Sequence, residues 1–198
     1  MNIVLASGSP RRRDLLEKLG WRVNVVVPEV DERPLISESP EELCIRLSSA
    51  KAAKVAALGR YKKDVIVVAA DTIVLVDGDV LGKPADECES LRMLKRLRGR
   101  AHDVLTGMSV IGEGKTLSGL ERTRVTFRAL DDEAVAAYVA TKEGADKAGA
   151  YAVQGKGSLL VAYIEGDYFN VVGLPLNRLG LMLEEMGLNL PLQLGAKK

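Results

Sequence analysis

Seven consecutive residues, Ser7-Gly8-Ser9-Pro10-Arg11-Arg12-Arg13, have the makings of an anion cradle. An apolar strand ends just before them and a helix starts within them, so unpaired backbone N–H groups at the helix start can hold a phosphate oxygen. Gly8 lets the backbone come close, Ser7 and Ser9 add hydroxyl donors, and Arg12 and Arg13 add a rigid, permanently positive fork. Cations in the first turn of a helix oppose its dipole, so three successive arginines make most sense where an anion offsets them. The plainer reading is a surface helix with a basic first turn. The GxxxxGK pattern of a Walker loop is absent.

Further candidates lie along the chain. Asp71 follows the apolar run 65–70 in the sequence Ala69-Ala70-Asp71-Thr72. At the C-terminal end of a central strand, where α/β sheets place their ligands, it could bind Mg²⁺ or take a proton from water. The alternative is a strand-ending turn in which Asp71 accepts local N–H bonds. Asp31-Glu32 could complete a metal site with Asp71, or be a common acidic loop. Lys51, among Ala50, Ala52 and Ala53, and Lys83, in Gly82-Lys83-Pro84, suit a polyphosphate as point charges, or simply reach solvent. In the stretch 146–157, DKAGAYAVQGKG, Gln154 offers the donor and the acceptor needed to read a base edge. The same stretch also reads as a turn-rich connector. Cradle, cations, two acids and an amide together fit a nucleoside polyphosphate.

Composition excludes several competitors. His102 is the single histidine and lies in a polar stretch before a strand, which argues against a Ser-His-Asp hydrolase. Cys44 and Cys88 fall on helix patterns that bury such residues, and two cysteines are too few for a disulfide scaffold or a structural zinc cluster. A bound metal is therefore expected to be hard, held by carboxylates and phosphate oxygens. With 28 basic against 27 acidic residues, no non-specific hold on nucleic acid or anionic membrane is expected. No apolar run reaches the length of a membrane span, and the N-terminus has the reverse order of a signal peptide, so the expected location is cytoplasmic.

The elements that must position these residues are legible from patterning. Apolar residues make up 47% and aromatics 4%, which predicts a core of Val, Leu, Ile and Ala. Strand 2–6 leads through Ser9 as N-cap and Pro10 at the first helical position into a helix reaching about Leu19, with Leu15, Leu16 and Leu19 buried. Strand 21–27 and an acidic loop 28–38 follow. Ser39, Pro40 and Glu42 open a second helix with a capping box, ending near Leu58 and Gly59. Strand 65–70, a tight turn at Asp77-Gly78 and a helix over 87–98 come next. Two long antiparallel strands are expected at 103–111 and 116–128, then a helix over 131–141. A hairpin of strands 158–164 and 169–172 around residues 165–167, and a last helix over 176–186, close the chain. Alternating helices and strands with several antiparallel pairs predict an α/β fold with a mixed sheet.

With its motifs in order, the chain resembles the Maf family of nucleoside triphosphate pyrophosphatases, first known as septum-formation inhibitors. The resemblance rests on LASGSPRR at 5–12, DE at 31–32, Lys51 followed by alanine, AADT at 69–72, GKP at 82–84, LTG at 105–107, DKAGAYAVQG at 146–155 and NVVGLPL at 170–176. It implies one domain over residues 1–198, with a long mixed sheet flanked by helices and two lobes about a central cleft, similar to inosine triphosphate pyrophosphatases. It implies cleavage between the α- and β-phosphates with Mg²⁺ or Mn²⁺, in the cytoplasm, often by a homodimer. By the same resemblance Ser7 or Ser9 and Arg12 or Arg13 bind triphosphate. Gly8, Thr72 and Gln154 join the substrate-binding set, Asp71, Lys51, Lys83 and Arg12 are catalytic, and Glu32 with Asp71 holds metal. The KAGAYxxQG form, with Gln154 where a 7-methyl-GTP subgroup has glutamate, points to dTTP and UTP. The alternatives are a pyrophosphatase for methylated nucleotides and a non-catalytic nucleotide-binding inhibitor of septum formation.

Overall fold

A computed structural model describes residues 1–59 and 65–196. Strand β1 (Asn2–Leu5) leads into helix α1 (Pro10–Lys18), β2 (Arg22–Val25) and helix α2 (Pro40–Ala56). Strands β3 (Val65–Val76) and β4 (Asp79–Leu81) precede helix α3 (Glu87–Leu97). Strands β5 (Ala101–Gly112) and β6 (Lys115–Phe127) precede helix α4 (Asp132–Ala140). Two short 3₁₀ turns lead to β7 (Val161–Glu165), followed by helices α5 (Tyr168–Val172), α6 (Leu176–Glu185) and α7 (Leu190–Gln193). The strands form one seven-stranded sheet in the order β2-β1-β3-β5-β6-β7, with β4 on β3. β1 pairs parallel with β2 and β3, while β3–β4 and β6–β7 are antiparallel, so the sheet is mixed as expected.

The chain divides into two compact units, neither of them contiguous. The first holds residues 1–71, 106–121 and 173–198, and the second 72–105 and 122–172. In the first, Ala52 and Val55 of α2 pack with Val4, Ala6, Val67 and Ala69 of β1 and β3. Small side chains here let the helix lie close to the sheet. Gly107 makes the approach of α2 to β5 closer still. A Cβ at that position would sit 2.2 Å from the backbone C and O of Cys44, so only glycine fits. In the second unit, Phe127, His102 and Tyr151 meet edge to face with centroids 4.8 to 5.4 Å apart.

Local chemistry accounts for most of the element ends. Ser39 caps α2 and forms a full capping box with Glu42, and Asp77-Gly78 makes the β3–β4 turn with both residues at positive φ. Five expectations are corrected. β3 does not end at residue 70 but runs through Asp71 to Val76, since β4 pairs with its second half. α1 stops at Lys18, leaving Leu19 exposed rather than buried. His102 lies inside β5 and is 3% exposed, not in a polar lead-in. Cys88, in the first turn of α3, is exposed, whereas Cys44 is buried. The expected hairpin 158–164/169–172 is replaced by a 3₁₀ turn (Gly155–Leu160), the strand β7 and the helix α5. Asp167 starts α5 by accepting from the Phe169 N–H, and Asn170 Nδ2 donates to the Val104 carbonyl at 3.0 Å and to Thr123 Oγ1 at 2.9 Å. These long-range bonds override the strand preference of Val171-Val172.

Candidate functional site

Within the first unit, the end of β1, the start of α1, the middle of α2 and the middle of β3 each deliver one chemistry-bearing side chain. Ser7 is buried, and its Oγ accepts from the Ser9 N–H at 3.2 Å and from Arg12 Nη1 at 2.9 Å. Arg12 Nε donates to the Gly173 carbonyl at 2.7 Å, so the guanidinium is held at both ends. Burial pushes the Arg12 guanidinium below its ordinary pKa. The Asp71 carboxylate opposes this, Arg11 adds to it, and Glu32 and Cys44 oppose it. Both acids are therefore electrostatic neighbours of Arg12. Ser9 occupies the N-cap position of α1 without a side-chain cap bond, and the first turn carries no acid. That leaves the helix start electropositive.

Lys51 joins the two acids. Its Nζ lies 2.6 Å from Asp71 Oδ1 and 2.6 Å from Glu32 Oε1. The Lys51 and Asp71 side chains are 12% and 14% exposed, whereas that of Glu32 is 61% exposed, so one carboxylate is shielded and the other is open to ligand. The loop bearing Glu32 is tied to α2. Arg46 bonds Glu38 at 2.5 and 2.9 Å and the Arg33 carbonyl at 3.0 Å, and Lys54 Nζ donates to the Glu29 carbonyl. Arg46 also holds the Glu38 carboxyl down at about 2, with the Leu35 N–H helping.

The donors available to a metal are carboxylate oxygens, which fits a hard divalent cation. Among the described residues no group of three or more His, Cys, Asp or Glu could hold a metal ion, so the remaining ligands would have to be phosphate oxygens and water.

The structure thus brings together Ser7, Arg12, Lys51, Asp71 and Glu32. It turns Arg13 away, to Glu17 at 2.8 Å on an exposed face, and leaves Gly8 exposed with the Val27 side chain against it. Thr72 follows Asp71 in β3 and opens the second unit. Lys83 and Gln154 both belong to that unit. Lys83 is exposed and Gln154 half-buried. Their loops meet there, the Gly149 N–H donating to the Gly82 carbonyl at 3.1 Å. A cavity of about 150 Å³ in the same unit is lined by Pro84, Ser90, Tyr138, Gly144 and Ala150 among others, and none of the expected site residues lines it.

Sequence reasoning missed Gly173, Arg46 and Lys54. Gly173 lies in GLPL, a motif whose use is invisible until its carbonyl is seen on Arg12, 161 positions away. Lys54 lies three residues after Lys51, a helical spacing that could have suggested a shared task, whereas Arg46, five residues before it, carries no such signal.

A family model described as Maf-like protein matches residues 2–186. Curated relatives from Bacillus cereus (strain AH187) and Bacillus thuringiensis subsp. konkukian (strain 97-27), both called dTTP/UTP pyrophosphatase, are each 46% identical over 187 residues. The matches cover 94% of this chain and 96% of each relative. Among solved structures, the Ham1 protein of Staphylococcus aureus aligns with TM-score 0.46 and 19% identity over 65% of this chain and 73% of that one. A nucleoside-triphosphatase / dITP/XTP pyrophosphatase from Mycobacterium abscessus aligns with TM-score 0.40 and 17% identity, over 66% and 76%. Both likenesses are too distant to carry a functional comparison.

Proposed function

The chain belongs to the Maf-like family, and from that premise we propose that it hydrolyses dTTP and UTP between the α- and β-phosphates. The products are the nucleoside monophosphate and pyrophosphate. The observation that carries this reading is the convergence of Asp71 and Glu32 on Lys51, with both acids electrostatically coupled to the anchored Arg12. An acid pair beside fixed cations is the equipment that phosphoryl transfer to water needs.

In this reading Arg12 and the start of α1 bind phosphate oxygens, and Arg12 cannot swing away because Ser7 and Gly173 hold it. Asp71 orients the attacking water and accepts its proton. The water oxygen bonds to phosphorus, the bridging P–O bond breaks and pyrophosphate leaves. Lys51 balances the two carboxylates and the charge growing on the phosphate oxygens. Glu32 and Asp71 would hold Mg²⁺ or Mn²⁺, which supplies Lewis-acid polarisation of those oxygens when bound. Lys83 adds a second point charge, Thr72 a hydroxyl, and Gln154 reads the pyrimidine edge by donating to a ring carbonyl and accepting from the ring N–H.

The whole chain serves as one functional domain in this reading, acting in the cytoplasm as a homodimer. Among the described residues no helix is long and apolar enough to cross a membrane. Tyr163 on the edge strand β7 and Tyr168 and Phe169 on α5 are exposed, which supports a self-association surface.

The test is incubation of the protein with Mg²⁺ and a panel of canonical and methylated nucleoside triphosphates, with products resolved by ion exchange. Monophosphate and pyrophosphate, from dTTP and UTP ahead of the others, is the expected result. Diphosphate and orthophosphate would overturn the bond assignment. Turnover of a methylated purine alone would move the substrate.

A further inference from the structure

We propose that Glu143 and Tyr138 are positioning residues for base recognition, clamping the backbone on both sides of Gln154 and so fixing the aim of its amide. The inference rests on the reading of Gln154 as the base contact.

The clamp is built at the end of α4. Thr141 Oγ1 donates to the Tyr138 carbonyl at 2.7 Å and accepts from the Glu143 N–H at 3.3 Å, which sets Glu143 just past the helix. The Glu143 carboxylate then takes two neighbouring backbone donors, one on each oxygen. Lys156 N–H lies 2.9 Å from Oε1 and Gly157 N–H lies 2.7 Å from Oε2. On the other side of Gln154, the Ala152 N–H donates to the Tyr138 hydroxyl at 3.0 Å, in a buried position. The Tyr138 hydroxyl is also one of the groups that favour the charged form of the Glu143 carboxyl, so the two anchors support one another.

Steric fit points the same way. A Cβ on Gly157 would lie 2.0 Å from the Ala152 carbonyl oxygen and 2.9 Å from the Tyr138 hydroxyl. A Cβ on Gly155 would lie 2.2 Å from Glu143 Oε1, at a φ of +67°. The loop therefore returns on itself around Tyr138 and Glu143, with Gln154 at its turn. Charge-assisted bonds to backbone N–H groups are strong and directional. Burial works to raise the Glu143 carboxyl, and the Lys156 and Gly157 N–H groups, the Tyr138 hydroxyl and Lys147 outweigh it. The acceptor is thus kept charged.

A primary amide discriminates bases only if its two ends keep their places, because a small misplacement of a recognition group is costly. The Gln154 side chain has no hydrogen bond among the described residues, so its aim depends on the backbone that carries it. That backbone is fixed by Glu143 and Tyr138.

The test uses the full chain with Glu143→Gln, Tyr138→Phe, Gln154→Ala and the Glu143→Gln/Gln154→Ala double variant. The readouts are kcat and KM for dTTP, UTP, dATP and dGTP, and amide hydrogen exchange over 152–157. Both clamp variants should lose roughly tenfold in discrimination of pyrimidine over purine, mainly through KM, with faster exchange at Lys156 and Gly157. In the double variant the Glu143 change should add nothing to the loss caused by Gln154→Ala, because one residue acts through the other. Additive losses, or wild-type discrimination in clamp variants whose loop exchanges faster, would overturn the proposal alone. Wild-type discrimination in Gln154→Ala would overturn the base reading and the proposal with it. Should Glu143→Gln fail to fold, Tyr138→Phe, which removes only one hydroxyl, carries the same comparison in its own double variant with Gln154→Ala.

Discussion

Lys51 Nζ lies 2.6 Å from Asp71 Oδ1, a pairing of α2 with the middle of β3 in which both side chains are largely shielded from water. Because Glu32 shares the same ammonium, the three charges form a group with one cation and two anions. Removing the cation leaves two carboxylates facing each other, whereas neutralising Asp71 leaves a simple pair. Lys51→Met should therefore destabilise the fold by about 1–3 kcal/mol, the cost of leaving a shielded group unpaired, and Asp71→Asn by less. Urea denaturation of both variants checks the order. In turnover of dTTP the ranking reverses its meaning, since Asp71→Asn should lose on the order of 10²-fold or more in kcat if it handles the proton of water. Near wild-type turnover would remove Asp71 from that role.

Arg12 and Arg13 are adjacent and chemically identical, yet they are held differently. Arg12 uses two different nitrogens on Ser7 and Gly173, which a lysine cannot imitate. Arg12→Lys should raise KM for nucleotide by roughly ten- to a hundredfold, the value of one to two charge-assisted bonds. Arg13→Ala breaks an exposed i,i+4 pair with Glu17 and should leave both stability and KM close to those of the unsubstituted chain. Equal effects of the two substitutions in steady-state kinetics would mean that substrate draws Arg13 inward.

Burial lowers the His102 pKa from 6.5 to about 4. Between those values the unfolded chain binds a proton that the folded chain refuses. Stability is therefore full above about pH 6.5 and falls as pH drops towards 4, by about 3 kcal/mol in total. Thermal or denaturant melts at pH 7, 6 and 5 should show this loss. In His102→Phe the same pH steps should cost much less, whatever the variant's stability at pH 7. The carboxyls that neighbouring cations or N–H groups hold down give up their share only below their own ordinary values of 3.8 to 4.5, so the upper part of the window belongs to His102.

A Cβ at Gly107 has nowhere to go. Its nearest neighbours are backbone atoms of α2, which cannot rotate aside as a side chain can. Gly107→Ala should cost about 1–3 kcal/mol by forcing α2 off the sheet. Because α2 also carries Arg46 and Lys51, kcat should fall along with the melting temperature. A destabilised variant with full kcat at a permissive temperature would show that α2 shifts without moving Lys51.

Features set by neighbouring residues were legible in the sequence. The Ser39–Glu42 capping box, Pro10 at the start of α1 and the Asp77-Gly78 turn each depend on a few adjacent positions. The candidate acids and Lys51 were legible as types, and their convergence was not, because it needs α2, β3 and an irregular loop to meet. Asp71 looked like the end of a strand since Asp-Thr interrupts an apolar run. What carries the strand onward is pairing with β4, which lies beyond the interruption. The Tyr168–Val172 helix was misread as a strand for a related reason. Its conformation is set by Asn170 reaching Val104 and Thr123, neither of them a sequence neighbour.

Both compact units are assembled from separated lengths of chain, three for the first and two for the second, and β3, β5 and β6 each cross from one to the other. No single stretch of the chain contains either unit without part of the other. A single deletion that removes the whole of either unit therefore takes part of the other with it.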